Sequence, residues 1–434
     1  MKKNYFGLLS ASVLAITIYS HQVNAQVYII GERGGENATG VSNDGNIVAL
    51  QTPNANFIWT KEEGTKVLNS MPEGVYNSGK PMISKDGTKI AATGTNPSTG
   101  LLEMASYDVK TKQWNYLGTL GSSMDGVASS AWGMTPDGKT IVGLGLAPNN
   151  GAHGIYWTQE KGLIDIGTSV TGKYSRIDDV SDDGRIFVGY QDNTVGNRQA
   201  AYWEDGKQTV VSTANGENIS SFTSVSGNGK WMLGSSGSTA TKWHKEEGLI
   251  KITHPKAGMF FKGASTATNY DGSVVIGYYR AFPGVALMGE GFIWTEKTGR
   301  IELNEYVKSL GYDDLGIKFS LPLAISENGK HIVGSGRIEA LAQYVSFLIT
   351  LPDTLGTTEA TSKVEFDIYP NPATDFVNIK TNGKLESSII YNMSGQVVLK
   401  SVDKKLNITK LPKGVYVLKI VIDDKETTTK IIKN

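Results

Sequence analysis

Along most of the chain, short apolar runs such as Thr140-Ile141-Val142-Gly143 and Gly154-Ile155-Tyr156-Trp157-Thr158 alternate with polar turns that carry glycine. Runs of this length, rich in Val, Ile, Tyr and Trp, predict strands, and helical periodicity is scarce. One turn recurs seven times, at Asp44-Gly45, Asp86-Gly87, Asp137-Gly138, Asp183-Gly184, Asn228-Gly229, Asp271-Gly272 and Asn328-Gly329. The copies lie 42, 51, 46, 45, 43 and 57 residues apart. Self-similarity at roughly 40 to 50 residues between short strands is the period of a propeller blade.

The clearest unit runs from 127 to 166. It predicts an inner strand Ser130–Met134, a second strand Thr140–Gly143, a third Gly154–Thr158 and a fourth Leu163–Ile166. Four short antiparallel strands make one blade. The third strand carries an aromatic at a fixed place: Trp59, Tyr107, Trp157, Trp203, Trp243, Trp294 and Phe347. Such a position predicts packing between neighbouring sheets. The Asp-Gly pairs are expected to be two-residue hairpins of the primed type, with positive φ at both central residues. The seventh unit supplies three strands and stops at Leu351, and Val27-Tyr28-Ile29-Ile30-Gly31 has the pattern of the missing fourth. Pairing them would remove two exposed sheet edges. The expected fold is therefore all-β, a seven-bladed β-propeller over 26–352 closed by its N-terminal strand. A polar linker at 353–363 then leads to a small Ig-like β-sandwich at 364–434.

Composition narrows the partners. Lys and Arg total 42, as do Asp and Glu, so no basic field exists to gather nucleic acid. The chain has no Cys, which excludes disulfides, thiolate metal sites and cysteine nucleophiles. Lys2 and Lys3 precede an apolar run from Phe6 to Tyr19, followed by the small-residue site Val23-Asn24-Ala25. This predicts a signal peptide at 1–25, and the run is shorter than the ~20 residues that span a bilayer, so no transmembrane segment is expected in the mature chain. No cofactor motif occurs. The acidic stretch Asp178 to Gly184 lacks the order of a calcium loop, so no metal site is expected.

Leu117-Gly118-Thr119-Leu120-Gly121, Ile141-Val142-Gly143 and His153-Gly154-Ile155-Tyr156-Trp157-Thr158 resemble the repeat of extracellular HAF repeat proteins. That family is defined by its repeat and implies no catalytic residue. The C-terminal segment closely resembles the type A sorting domain of the type IX secretion system of Bacteroidetes. The matching residues are Tyr369-Pro370-Asn371-Pro372, Gly395-Gln396, Leu411-Pro412 with Gly414 and Tyr416, and the terminal Lys430 to Lys433. The resemblance implies export to the periplasm, handling by the type IX machinery at the outer membrane, and a secreted or cell-surface destination.

In a blade, the first-to-second and third-to-fourth connections share one face, and here they are tight. The remaining connections are long and varied, and a rigid scaffold most often carries function on such loops. They offer Tyr174, Arg176, His254, Phe260, Tyr279, Arg280, Phe282, Tyr306 and Tyr312 as candidate ligand-binding residues. Aromatics beside Arg suit a glycan or a partner protein's surface. The expected function is binding of an extracellular glycan or protein. One alternative is a secreted carbohydrate-active hydrolase or lyase in the channel, for which Asp178, Asp179, Asp313 and Asp314 are available. Another is a structural surface component.

Overall fold

In a computed structural model, the described residues are 27–31, 36–148, 151–212, 218–352, 366–381, 383–392, 397–422 and 425–434. The expected signal peptide, the linker at 353–363, and Gly395 and Gln396 of the sorting motif lie outside them. The chain divides into two compact units, Met1–Leu355 and Gly356–Asn434.

The described residues of the first unit form seven four-stranded antiparallel sheets, one for each turn of the repeat. Blade 3 is Ser129–Met134, Thr140–Leu146, Ala152–Thr158 and Gly162–Gly167, and the other blades repeat this order. In blade 7, Lys318–Ile325, His331–Ile338 and Gln343–Thr350 are completed by Val27–Gly31, which pairs antiparallel with Gln343–Thr350. Each inner strand touches that of the next blade, and blade 7 touches blade 1, so the sheets form a closed ring. The third-strand aromatics pack against the preceding blade. Trp203 of blade 4 joins Val142 and Tyr156 of blade 3, and Phe347 of blade 7 joins Ile276 and Ile293 of blade 6.

The recurring turn differs from the expected primed hairpin. Only its glycine has positive φ, for example +68° at Gly138, while the preceding Asp or Asn does not. Thr135 N–H bonds the Thr140 carbonyl at 2.9 Å and Gly138 N–H bonds the Thr135 carbonyl at 2.8 Å, which encloses a four-residue loop. The Asp137 carboxylate accepts from the Lys139 N–H and from the Thr135 hydroxyl, 3.0 and 2.8 Å away. A Ser or Thr two residues before the Asp or Asn repeats this arrangement in every blade except blade 6, where Asn269 takes its place. The primed geometry occurs instead at Asp205-Gly206, with φ of 50° and 81°, between the paired Glu204 and Lys207.

The second unit packs a sheet of Phe366–Tyr369, Phe376–Thr381 and Lys405–Asn407 with a four-stranded sheet centred on Leu385–Tyr391 and Gly414–Ile422. Its core gathers Val377, Ile379, Ile390, Leu406, Leu418, Ile420 and Ile431.

Candidate functional site

The long connections gather on one face of the ring, and most of the propeller's exposed large apolar side chains go with them. Among the described residues these include Tyr76, Tyr174, Met259, Phe260, Phe282, Val285, Met288 and Leu341; only Val67 and Tyr270 lie away from those loops and the strand ends they join. A folded monomer rarely gathers exposed apolar side chains without a use for them.

Between blades 5 and 7 the candidates separate by depth. Phe260 is 71% exposed and Phe282 41%, and the Phe282 N–H bonds the Phe260 carbonyl at 2.9 Å, which holds the two loops side by side. The Lys262 ammonium lies 3.9 Å from the Phe282 ring centre, and Arg280 donates to the carbonyls of Ala281 and Gly284 within its own loop. Tyr279 lies behind them, fully buried, with its hydroxyl donating to the Ile252 carbonyl and accepting the Ala240 N–H. Burial removes it from any ligand surface. Tyr306 is also buried, on the helix Leu303–Ser309 packed into the blade 6–7 core, where burial pushes its phenol up to about 12. Tyr312 packs partly buried against the same core. These tyrosines come from the same kinds of stretch as the exposed Phe260 and Phe282, so loop composition alone could not sort them.

His254 places its Nε2 2.7 Å from the Glu290 carboxylate, while its Nδ1 accepts the Lys256 N–H at 3.0 Å. Burial first, then the Arg300 charge, holds its pKa down. Glu290 and Glu302 line a cleft of about 150 Å³ with Phe261, Asn304, Lys318 and Arg337. Burial, followed by the Glu290 charge, pushes the Glu302 carboxyl up. His254 was a candidate from its loop, whereas Glu302, Lys318 and Arg337 carried no such signal because they belong to strands and strand ends.

Tyr174 and Arg176 sit apart, at the blade 3–4 edge of the same face. Tyr174 is 46% exposed. Arg176 lies 3.5 Å from the Trp132 ring centre and forks onto Asp178, with contacts of 2.7 and 3.2 Å. Asp179 is consumed by the fold, accepting the Ser224 hydroxyl and the Val225 N–H. Asp313 and Asp314 likewise serve their own turn, accepting from Leu315 and Gly316 N–H.

The ring axis holds a channel of about 120 Å³, lined by inner-strand residues such as Thr39, Val180, Ser224 and Ala324. At its tight-turn end, Asp182 of blade 4 meets Glu327 of blade 7, with the Lys85 ammonium of blade 2 at 4.0 Å from Glu327. Burial and contact with Glu327 push Asp182 up to about 8. Each of the three directly precedes a recurring turn, a position with no mark of its own in the repeat pattern.

In the second unit, Asn371 donates to the Lys430 carbonyl at 2.8 Å and accepts the Ile432 N–H at 2.9 Å. The Tyr416 hydroxyl donates to the Pro412 carbonyl at 2.8 Å. The motifs at the two ends of the unit are thus tied together. Residues 367–434 match the family described as the secretion system C-terminal sorting domain. The C-terminal unit is a type IX sorting domain. It marks the protein as secreted or cell-surface. Among the described residues no helix is long and apolar enough to cross a membrane.

The chain is 37% identical over 65 residues to beta-agarase D of Zobellia galactanivorans, a match covering 14% of this chain and 13% of that protein's length. Among solved structures, oligogalacturonate lyase from Vibrio parahaemolyticus superposes with a TM-score of 0.50 at 14% identity, covering 77% of this chain and 96% of that one. TolB from Acinetobacter baumannii reaches a TM-score of 0.39 at 14% identity over 62% of each chain. The likeness to the lyase shows the propeller-like fold alone.

Proposed function

We propose that the propeller is a recognition module that binds an extracellular glycan or protein through its long-loop face. In this reading residues 1–25 direct export and 26–352 form the binding domain. Residues 353–363 link it to the sorting domain at 364–434, and the machinery that reads that domain delivers the propeller outside the cell. The observation that carries the reading is the gathering of exposed apolar side chains on one face of a ring whose other face is built of uniform tight turns. The resemblance of blade 3 to extracellular HAF repeats and the short match to an agarase are in keeping with an extracellular, carbohydrate-related role.

The test is a glycan and extracellular-protein binding array probed with the purified protein and with a Phe260→Ala/Phe282→Ala variant. Both rings are exposed, so the variant should melt as the wild type does. A ligand should be found, and losing two contact aromatics should weaken it about tenfold or more. A ligand held equally by both proteins would place binding elsewhere.

The cleft between Glu290 and Glu302 favours a second reading, a carbohydrate-active hydrolase or lyase, because two neighbouring carboxyls, one of them pushed up by burial, are suited to acid–base work. Polysaccharide turnover abolished by Glu302→Gln would select it over recognition.

A further inference from the structure

The inner strands carry a repeated bulge, and at this place Thr39, Thr223 and Thr266 donate their hydroxyls to the next blade, reaching the carbonyls of Pro81, Ser265 and Pro322 at 2.7, 2.9 and 2.7 Å. Blades 3, 4 and 7 depart from that stitching, blade 7 with an apolar Leu323 at the bulge and blades 3 and 4 with residues that meet each other across their edge. The bulged residues of blades 3 and 4 are Trp132 and Asp178. Local departures from a repeat's own rule concentrate where function is placed.

The two substitutions converge on Arg176, which stacks on Trp132 and forks onto Asp178. On its other side lies Tyr190, with its ring centre 5.1 Å from the Arg176 guanidinium, and Arg198 covers the same ring at 4.2 Å. Indole, guanidinium, phenol and guanidinium therefore alternate outward along the blade. Arg176 is neutralised by Asp178. Arg198 is exposed, and its guanidinium has no carboxylate partner among the described residues. Asp192, opposite Arg198 on the neighbouring strand, is 7% exposed with Oδ1 unpartnered, so its charge is felt without engaging the fork. Lys173 flanks Asp192, and Lys80 bears on Asp178. Among the described residues Lys80, Lys173, Arg176 and Arg198 thus gather around Asp178 and Asp192, a local positive excess.

We propose that this blade 3–4 edge is a subsite for an acidic sugar, with Arg198 and Lys173 taking its carboxylate or sulfate and the exposed Tyr174 ring taking its apolar face. The planar guanidinium matches either anion with two parallel hydrogen bonds, and its seat on Tyr190 fixes that fork before the ligand arrives. An aromatic beside it accepts the C–H face of a sugar ring. The proposal rests on the reading of the long-loop face as a binding surface.

Calorimetric titration of the intact protein with an oligouronate, a sulfated oligogalactoside and an uncharged oligogalactoside tests it, and comparing the two acidic probes separates carboxylate from sulfate. At least one acidic probe should bind ten times or more tighter than the neutral one, with an affinity that falls as salt rises. Arg198→Gln should weaken that probe about tenfold with an unchanged melting temperature, and Arg198→Lys should restore only part of the loss. Equal affinity for charged and uncharged probes, no binding of either acidic probe, or an Arg198→Gln protein that binds like the wild type would each overturn the subsite. If a ligand is lost on Phe260→Ala/Phe282→Ala while Arg198→Gln is silent, the face binds and the acidic-sugar subsite falls. If neither substitution alters binding, both readings fall.

Discussion

Asp86 accepts a hydrogen bond from the Ser84 hydroxyl at 2.7 Å and another from the Thr88 N–H at 3.0 Å, and together these hold its carboxyl below the ordinary value. Blades 5 and 7 make the same two bonds with Asn228 and Asn328, so the turn needs an acceptor oxygen at this place and no charge. Asp86→Asn should therefore leave the stability of the ring within about 0.5 kcal/mol, while Asp86→Ala should cost about 1 kcal/mol, the net worth of such bonds. Urea titration of both variants decides it, and equal losses would mean that the charge matters. The number of these turns was legible from the Asp-Gly and Asn-Gly pairs. Their geometry was not, because the hydroxyl two residues upstream enlarges the loop to four residues and relieves the Asp of positive φ. The pair that does need positive φ at both places, Asp205-Gly206, lies outside the recurring set.

The second strand of a blade often carries glycine, as in Ile141-Val142-Gly143, and the bulge explains it. The bulge at Trp132 swings the Ser130 carbonyl toward the second strand, and a Cβ on Gly143 would lie 1.9 Å from that oxygen. Gly189 faces the Arg176 carbonyl in the same way at 2.0 Å. Gly143→Ala should thus force the two strands apart at a cost of about 2–4 kcal/mol. Gly162, at a turn with open space around it and φ of +67°, should lose only about 1 kcal/mol on the same change. Comparable losses at the two sites in denaturant titrations would discard the bulge as the cause. Strand identity and the third-strand aromatics could be read from the sequence because both follow a local period. The bulge could not, since it depends on pairing between strands, and with it the meeting of Trp132 and Asp178 on Arg176 stayed hidden. Exposure within the long loops was equally illegible: Phe260 and Phe282 face solvent, whereas Tyr279 and Tyr306, drawn from the same stretches, fill the core.

At the scale of the ring, contacts that span blades cannot be foreseen from any one repeat, and the tight-turn end of the channel shows why. Asp182 and Glu327 are 145 residues apart in sequence, counting from 182 to 327, and meet because closure of the ring brings blades 4 and 7 to a common axis. Gly227 of blade 5 leaves room for the meeting, since a Cβ there would lie 2.6 Å from the Asp182 carboxylate. Burial, reinforced by the Glu327 carboxylate and weakly opposed by Lys85, keeps Asp182 protonated to about pH 8. An unfolded Asp ionises near its ordinary value of 3.8. Between those values the native state holds a proton that the unfolded chain has lost, so this group's contribution is full below about pH 4 and is lost as pH rises toward 8. Asp182→Asn removes that titration and keeps a donor for Glu327. The melting temperature of the variant relative to the wild type should therefore rise steadily between pH 5 and pH 8, by about 2 °C or more across the interval. A constant difference would show that Asp182 is ionised throughout, and that Lys85 alone holds the two carboxylates together.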